Sequence, residues 1–259
     1  MRVFSSVISA VVLFSAFLLI ISAETERSKS SYESFYDEKY FSWQLQHHKY
    51  TARSIRKDPS GPSLKGKLSA DSTVLDFGCS AGMVLDALLG STKICVELNN
   101  HAREYACKNH PRLTCYQYPE QVANGTVDVV HTNAVLEHCE TPIKELRYLW
   151  HALKPGGMIV VTLSNDGRSK TQKWGNPDLN NHLYTWNSLL LGNMLRAACF
   201  TEINVTTDTN AYPPDYINVR KRSSAEEWAK IIKAEGERQG QENLYAEARK
   251  PLTAVQCLG

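Results

Sequence analysis

No stretch of like charge runs through this 259-residue chain, where 29 Lys and Arg stand against 27 Asp and Glu for a formal charge of +2. Nothing in it is built to track a phosphate backbone, so nucleic acid is not indicated as a partner. Internal repeats and low-complexity tracts are absent, and 42% hydrophobic residues with 14 Gly and 10 Pro exclude a disordered or collagen-like chain. The 7 cysteines, at positions 79, 95, 107, 115, 139, 199 and 257, include no CxxC pair, and the lone CxxH spacing, Cys107 to His110, has no second pair to form a cluster. That argues against a structural zinc site or a thioredoxin-type motif, and with no ligand cluster in the linear sequence no metal is expected. The odd count leaves at least one thiol unpaired if disulfides form.

What the sequence does have begins with an address. From Val3 to Ala23 the chain carries no charge, and the polar stretch from Glu24 to Lys29 ends the run abruptly. As a helix this segment would reach about 31 Å, the thickness of a bilayer's hydrocarbon region, so an uncleaved signal anchor is one reading. A cleaved signal peptide is the other, because Ile21-Ser22-Ala23 ends in a small residue. Either places the protein at a membrane, held there by this segment, or in the secretory pathway, with the lumenal side favoured. Acceptor sequons at Asn124-Gly125-Thr126 and Asn204-Val205-Thr206 permit glycosylation there.

The organisation read from the sequence is 1–23 signal anchor or signal peptide, 24–70 amino-terminal helical cap and linker, 71–251 main domain and 252–259 tail. The cap contains Tyr40, Phe41 and Trp43 and gives way to the turn formers Asp58-Pro59-Ser60-Gly61-Pro62-Ser63. Beyond them, short β-branched runs alternate with amphipathic segments. Strands are expected at Thr73–Phe77, Lys93–Glu97, Leu113–Tyr118, Val127–Thr132, Met158–Leu163, Thr201–Thr206 and Asn243–Arg249. Helices are expected at Met83–Leu89, Asn100–Lys108, Thr141–Leu153, Ser188–Ala198 and Ser224–Gln239. The alternation predicts an α/β fold, a parallel sheet covered by helices.

The chemistry concentrates in Val74-Leu75-Asp76-Phe77-Gly78-Cys79-Ser80-Ala81-Gly82, a buried strand running into a glycine-bearing turn and then a helix. Open parallel sheets bind ligands where such strands end. Glycines at 78 and 82 allow close backbone approach, and free amides opening the next helix can hold a carboxylate. Glu97 closes the following strand, where a carboxylate can accept from both hydroxyls of a ribose. A nucleoside cofactor is implied. The dinucleotide fingerprint GxGxxG would need glycines at 78, 80 and 83, where this chain has Ser80 and Met83, which weakens a nicotinamide reading.

Four segments in register resemble the class I S-adenosylmethionine-dependent methyltransferases, in particular the type 11/12-like branch with LDxGCGxG, NxVLEH and LKPGG motifs. They are Leu75–Gly82, Val96-Glu97, Asp128–His138 and Leu153-Lys154-Pro155-Gly156-Gly157. The likeness extends from Thr73 to Arg249 and departs from the family at Ser80 and Cys199, where relatives carry glycine. It implies a Rossmann-like seven-stranded, mostly parallel sheet with helices on both faces and an antiparallel last strand. It also implies S-adenosyl-L-methionine as cofactor. On that pattern Asp76, Gly78, Cys79, Ser80 and Gly82 surround its methionine end, Glu97 holds the ribose, Tyr118, Pro119 and Glu120 border the adenine, and Asn133 lies near the transferable methyl.

A sulfonium methyl is already electrophilic, so the protein's part is to align a nucleophile, exclude water and manage a proton. His138 is the expected base and Tyr184 a second catalytic candidate, with His182 and Trp186 beside them. Tyr40, Trp43 and His47 join them if the amino-terminal segment closes over the cleft. The expected activity is methyl transfer to an oxygen or nitrogen of a small-molecule, lipid or glycan acceptor. A catalytically silent cofactor-binding module acting through protein contacts is the alternative.

Overall fold

Apolar residues fill Val74 to Phe77, a run too short for a helix and bounded by turn formers, and the segment Thr73–Phe77 forms strand β1 at the centre of a seven-stranded sheet. The computed structural model describes residues 34–45, 64, 66–165 and 181–253. Tyr36–Gly259 form one compact unit, and Met1–Phe35 another. The apolar segment Val3–Ala23, His47 and the turn Asp58–Ser63 lie outside the described residues. Among the described residues no helix is long and apolar enough to cross a membrane.

After β1 come α1 (Met83–Ala87), β2 (Thr92–Val96), α2 (Asn100–Asn109), β3 (Leu113–Tyr116) and β4 (Val127–Asn133). They are followed by α3 (Pro142–Ala152), β5 (Leu153–Asn165), α4 (Ser188–Ala197), β6 (Thr201–Asp208), α5 (Tyr216–Arg222), α6 (Ala225–Gln239) and β7 (Glu242–Arg249). The sheet order is β3-β2-β1-β4-β5-β7-β6. Strands β1 to β5 run parallel to one another, and β7 is antiparallel to both β5 and β6. The order reverses between β1 and β4, the switch point at which open sheets leave a crevice for ligands.

Alternation along the strands splits the core between two faces. Leu75, Phe77, Val130, Ile159 and Val161 pack with Leu146 and Leu149 of α3 and with Leu191 and Leu195 of α4. Val74, Cys95, Val129 and Val160 pack with Leu85 of α1 and Ala106 of α2 on the other. Both faces are covered, which is why the central strands read as nearly continuous apolar runs.

Several elements differ from the sequence expectation. Helix α1 stops at Ala87 because Leu88 is already extended (ψ 156°). Helix α3 stops at Ala152, and Leu153, expected as its last residue, instead opens β5 by pairing with Val127. Pro155-Gly156-Gly157 sits inside this strand, at a register shift before Val129 meets Met158 and with Gly156 donating to the Lys250 carbonyl at 2.9 Å. Helix α5 has no expected counterpart.

Leu146 is fully buried where α3 meets the sheet. Leu146→Ala should cost about 2–5 kcal/mol, read as a lower urea midpoint with an unchanged slope.

Candidate active site

Strands β3, β2, β1 and β4 are neighbours, and their carboxyl ends carry, in that spatial order, Tyr118–Glu120, Glu97, Gly78–Ser80 and Asn133–Val135. The β1 exit folds back on β2. Gly78 N–H donates to the Val96 carbonyl at 2.8 Å, and Ser80 N–H donates to Glu97 Oε2 at 2.8 Å. Glu97 Oε1 accepts from the Asn99 amide at 2.9 Å. Each carboxylate oxygen thus spends one acceptor site on the backbone and retains another, an arrangement that suits two vicinal hydroxyls. Burial raises the Glu97 pKa, opposed by the Asn99 and Ser80 amides and by the charge of Arg103. Arg103 itself donates to the Glu97 carbonyl at 2.7 Å, tying α2 to the strand exit.

The loop demands unusual backbone. Gly78 has φ +79° and Ser80 φ +48°, so Ser80 takes the left-handed conformation that the family's glycine would hold without strain. Cys199 has φ +75° just after α4, the second place where relatives carry glycine.

Several residues expected at the cofactor make internal contacts of their own. Asp76 is 4% exposed and shares a hydrogen bond of 2.8 Å with His131 Nδ1, its register partner on β4. The pair clamps the two strands on either side of the crevice. A Cβ on Gly82 would come within 2.7 Å of Leu113 and 3.0 Å of Ala106, so this glycine serves the packing of the turn against α2 and β3. Cys79 is buried and disulfide-bonded to Cys95, leaving its backbone rather than its sulfur for any ligand. At Gly78 a Cβ would lie 2.3 Å from Val135 Cγ2, so the exits of β1 and β4 touch at this glycine.

Residues 38–45 are helical and close over the loop. Phe41 is buried against Ala81 and Ala102, Ser80 Oγ donates to Gln44 Oε1 at 3.3 Å, and Asn99 Nδ2 donates to the Asp37 carbonyl at 3.0 Å. The Tyr36 ring stands edge-on to Tyr40 at 5.0 Å and to His138 at 6.2 Å, while Tyr40 lies 6.0 Å from Trp43. The aromatic cap therefore spans from the β1 loop to the β4 exit. Asn133 is exposed at that exit. His138 and His182 are 4.7 Å apart between ring centroids. Tyr184 donates its hydroxyl to the Glu140 carbonyl at 2.9 Å, and Trp186 is buried in the core. Beyond β3, Pro119 is buried and Glu120 exposed at the end where adenine would lie. Sequence reasoning missed Gln44, Arg103, His131 and Val135. The motif spacing placed His131 and Val135 in the right segment, but Gln44 and Arg103 carry no local signal.

A family model described as a methyltransferase domain matches residues 34–204. The chain belongs to that family. Its fold and motifs are those of the class I S-adenosylmethionine-dependent methyltransferases. No curated protein matches this methyltransferase in sequence. Among solved structures it is similar to a putative methyltransferase of Haloferax volcanii in complex with the Trm112 activator (TM-score 0.59, 15% identity, 85% of this chain and 98% of that one). It is also similar to Haemonchus contortus phosphoethanolamine N-methyltransferase 2 in complex with phosphomonomethylethanolamine and S-adenosylhomocysteine (TM-score 0.52, 16% identity, 78% of this chain). The methyltransferase spans about half of that enzyme, 52% of its length. A third neighbour is the [4+2]-cyclase SpnF (TM-score 0.54, 15% identity, 77% of this chain and 82% of that one).

Two predictions follow from the geometry. Gly78→Ala should lower stability by about 1–3 kcal/mol through backbone strain, with a further loss from the clash. Adding Val135→Ala should recover only the clash component, seen as partial recovery of the unfolding midpoint. For Glu97, a raised folded pKa means the native state binds more protons than the unfolded chain above pH 4.5. Its contribution to ligand-free stability therefore falls as pH rises through that window, while affinity for an adenosyl ligand rises as the carboxylate ionises. Glu97→Gln should flatten both trends, measured by chemical denaturation and by titration with S-adenosylhomocysteine.

Proposed function

We propose that this methyltransferase moves the methyl group of S-adenosylmethionine to an oxygen or nitrogen of a small-molecule, lipid or glycan acceptor, in a membrane or secretory compartment. The observation that carries the cofactor assignment is the Glu97 carboxylate, fixed by the Ser80 and Asn99 amides with one acceptor site open on each oxygen. When bound, the sulfonium supplies the electrophilic carbon. The chain's own residues hold the ribose (Glu97), shape the turn (Gly78, Ser80), flank the base (Tyr118, Glu120) and cover the site from water (Phe41, Gln44). Asn133, His138 and His182 stand on the acceptor side, where a proton released by a hydroxyl or ammonium acceptor must leave.

Support for a small polar acceptor comes from the Haemonchus contortus neighbour, which binds phosphomonomethylethanolamine. An oxidising compartment is supported by disulfides joining Cys79 to Cys95 and Cys107 to Cys115, and by the exposed sequon residue Asn124. Cys139 is a free buried thiol whose pKa burial pushes well above the usual range, so it is unreactive. The silent-module alternative draws on the cyclase neighbour, because that fold also carries a different reaction.

Methyl-labelled S-adenosylmethionine incubated with membrane and secretory extracts should yield a labelled product. Glu97→Ala should weaken S-adenosylhomocysteine binding by roughly 1.5–3 kcal/mol, on the order of 10- to 150-fold. Tight binding without transfer to any fraction would favour the silent module, and stabilisation by NAD instead would overturn the cofactor assignment.

A further inference from the structure

The acceptor side contains a constellation that the linear sequence hides. Glu137, His138 and His182 each offer one ligand atom, and these atoms all lie within 4.8 Å of one another. Forty-odd residues separate the two segments, yet their register is fixed by backbone bonds. Leu183 and Tyr184 both donate their amides to the Glu137 carbonyl, at 2.8 and 3.2 Å. The Tyr184 hydroxyl on the Glu140 carbonyl and the buried Trp186 anchor the same stretch from its other side. His182 is therefore held opposite Glu137–His138 by contacts that do not involve its own ring.

The geometry points to a divalent transition-metal site of the zinc class at Glu137, His138 and His182, opening on the acceptor. Glu137 is 2% exposed, and its carboxylate lies within reach of both imidazoles. The two imidazoles lie 4.7 Å apart between ring centroids, and imidazole nitrogen is a common ligand of such ions. One carboxylate with two imidazoles, and positions left open, is a donor set for zinc or a neighbouring first-row ion rather than for magnesium or calcium. Bonds of about 2.0–2.1 Å would require the three groups to draw together slightly from their present spacing.

The role assigned to the ion rests on the methyl-transfer reading, whereas metal binding itself does not. An acceptor hydroxyl bound at an open position becomes more acidic and loses its proton to solvent. Its oxygen lone pair then forms the new bond to the methyl carbon as the carbon–sulfur bond breaks. The bonding pair stays on sulfur, which leaves as a neutral thioether, and one proton is released per transfer. The device removes the need for a side-chain base.

The test uses the full chain freed of metal by chelation. Zn²⁺ titrated alone against a competing chelator should bind at one equivalent, and Co²⁺ should give the visible absorption bands of a protein-bound ion. His182→Ala and His138→Gln, both checked for a native unfolding transition, should each weaken Zn²⁺ binding on the order of 100-fold or more, at least what losing an outer-shell partner costs. Both variants should keep wild-type affinity for S-adenosylhomocysteine. Failure of the wild type to bind a stoichiometric ion, or unchanged binding in a folded His182→Ala variant, would overturn the site. Loss of S-adenosylhomocysteine binding in the wild type would instead sink the functional reading while leaving the metal titration to stand on its own.

Discussion

The site is organised around one half-buried carboxylate, that of Glu97, and the two amides from which it accepts. Glu97 draws the turn after β1 toward the end of β2, and in doing so sets Ser80 in a left-handed conformation that an L residue holds only when its surroundings insist. The desolvation that raises its pKa is the cost of placing an acceptor where water is scarce, and the scarcity makes each hydrogen bond it accepts stronger. Arg103 behind the strand and Asn99 at the start of α2 keep that arrangement in place without filling it.

Around this point the structure divides labour between sealing and opening. Asp76 and His131 join β1 to β4 beneath the crevice, Gly82 lets α2 and β3 close on the turn, and the Cys79–Cys95 disulfide links the turn to β2. Above it, the helix at 38–45 and its flank approach the loop after β1 and the exit of β4. There Gln44 reaches the serine of the loop, and Tyr36 lies edge-on to the histidine of the acceptor side. The cap thus contacts the exits of both β1 and β4.

The fold was legible because parallel strands buried on both faces leave near-continuous apolar runs, as in Val127–Val130 and Met158–Leu163, bounded by turn formers. The topology, including the antiparallel β7, came through the resemblance rather than from periodicity. Glu97 and Gly78 were legible because both sit at strand ends, which local pattern locates. The hydrogen bond of Asp76 to His131 was not legible, since it depends on the register of β1 against β4, and register across a crossover leaves no trace in local sequence. The same reason hid Gly82's packing role and the meeting of Glu137 with His182, which depends on two backbone bonds across the fold. Leu153 was read into a helix because its apolar spacing continues that of α3; pairing with Val127 overrides it.

Glu97 is expected to receive both ribose hydroxyls while keeping its two backbone bonds. A crystal structure of the complex with S-adenosylhomocysteine tests it most directly. The predicted result is a hydroxyl within about 2.5–3.0 Å of each Glu97 oxygen, with the Ser80 and Asn99 amides still donating. A nucleoside bound elsewhere, or a Glu97 carboxylate that still contacts only those two amides, would contradict it.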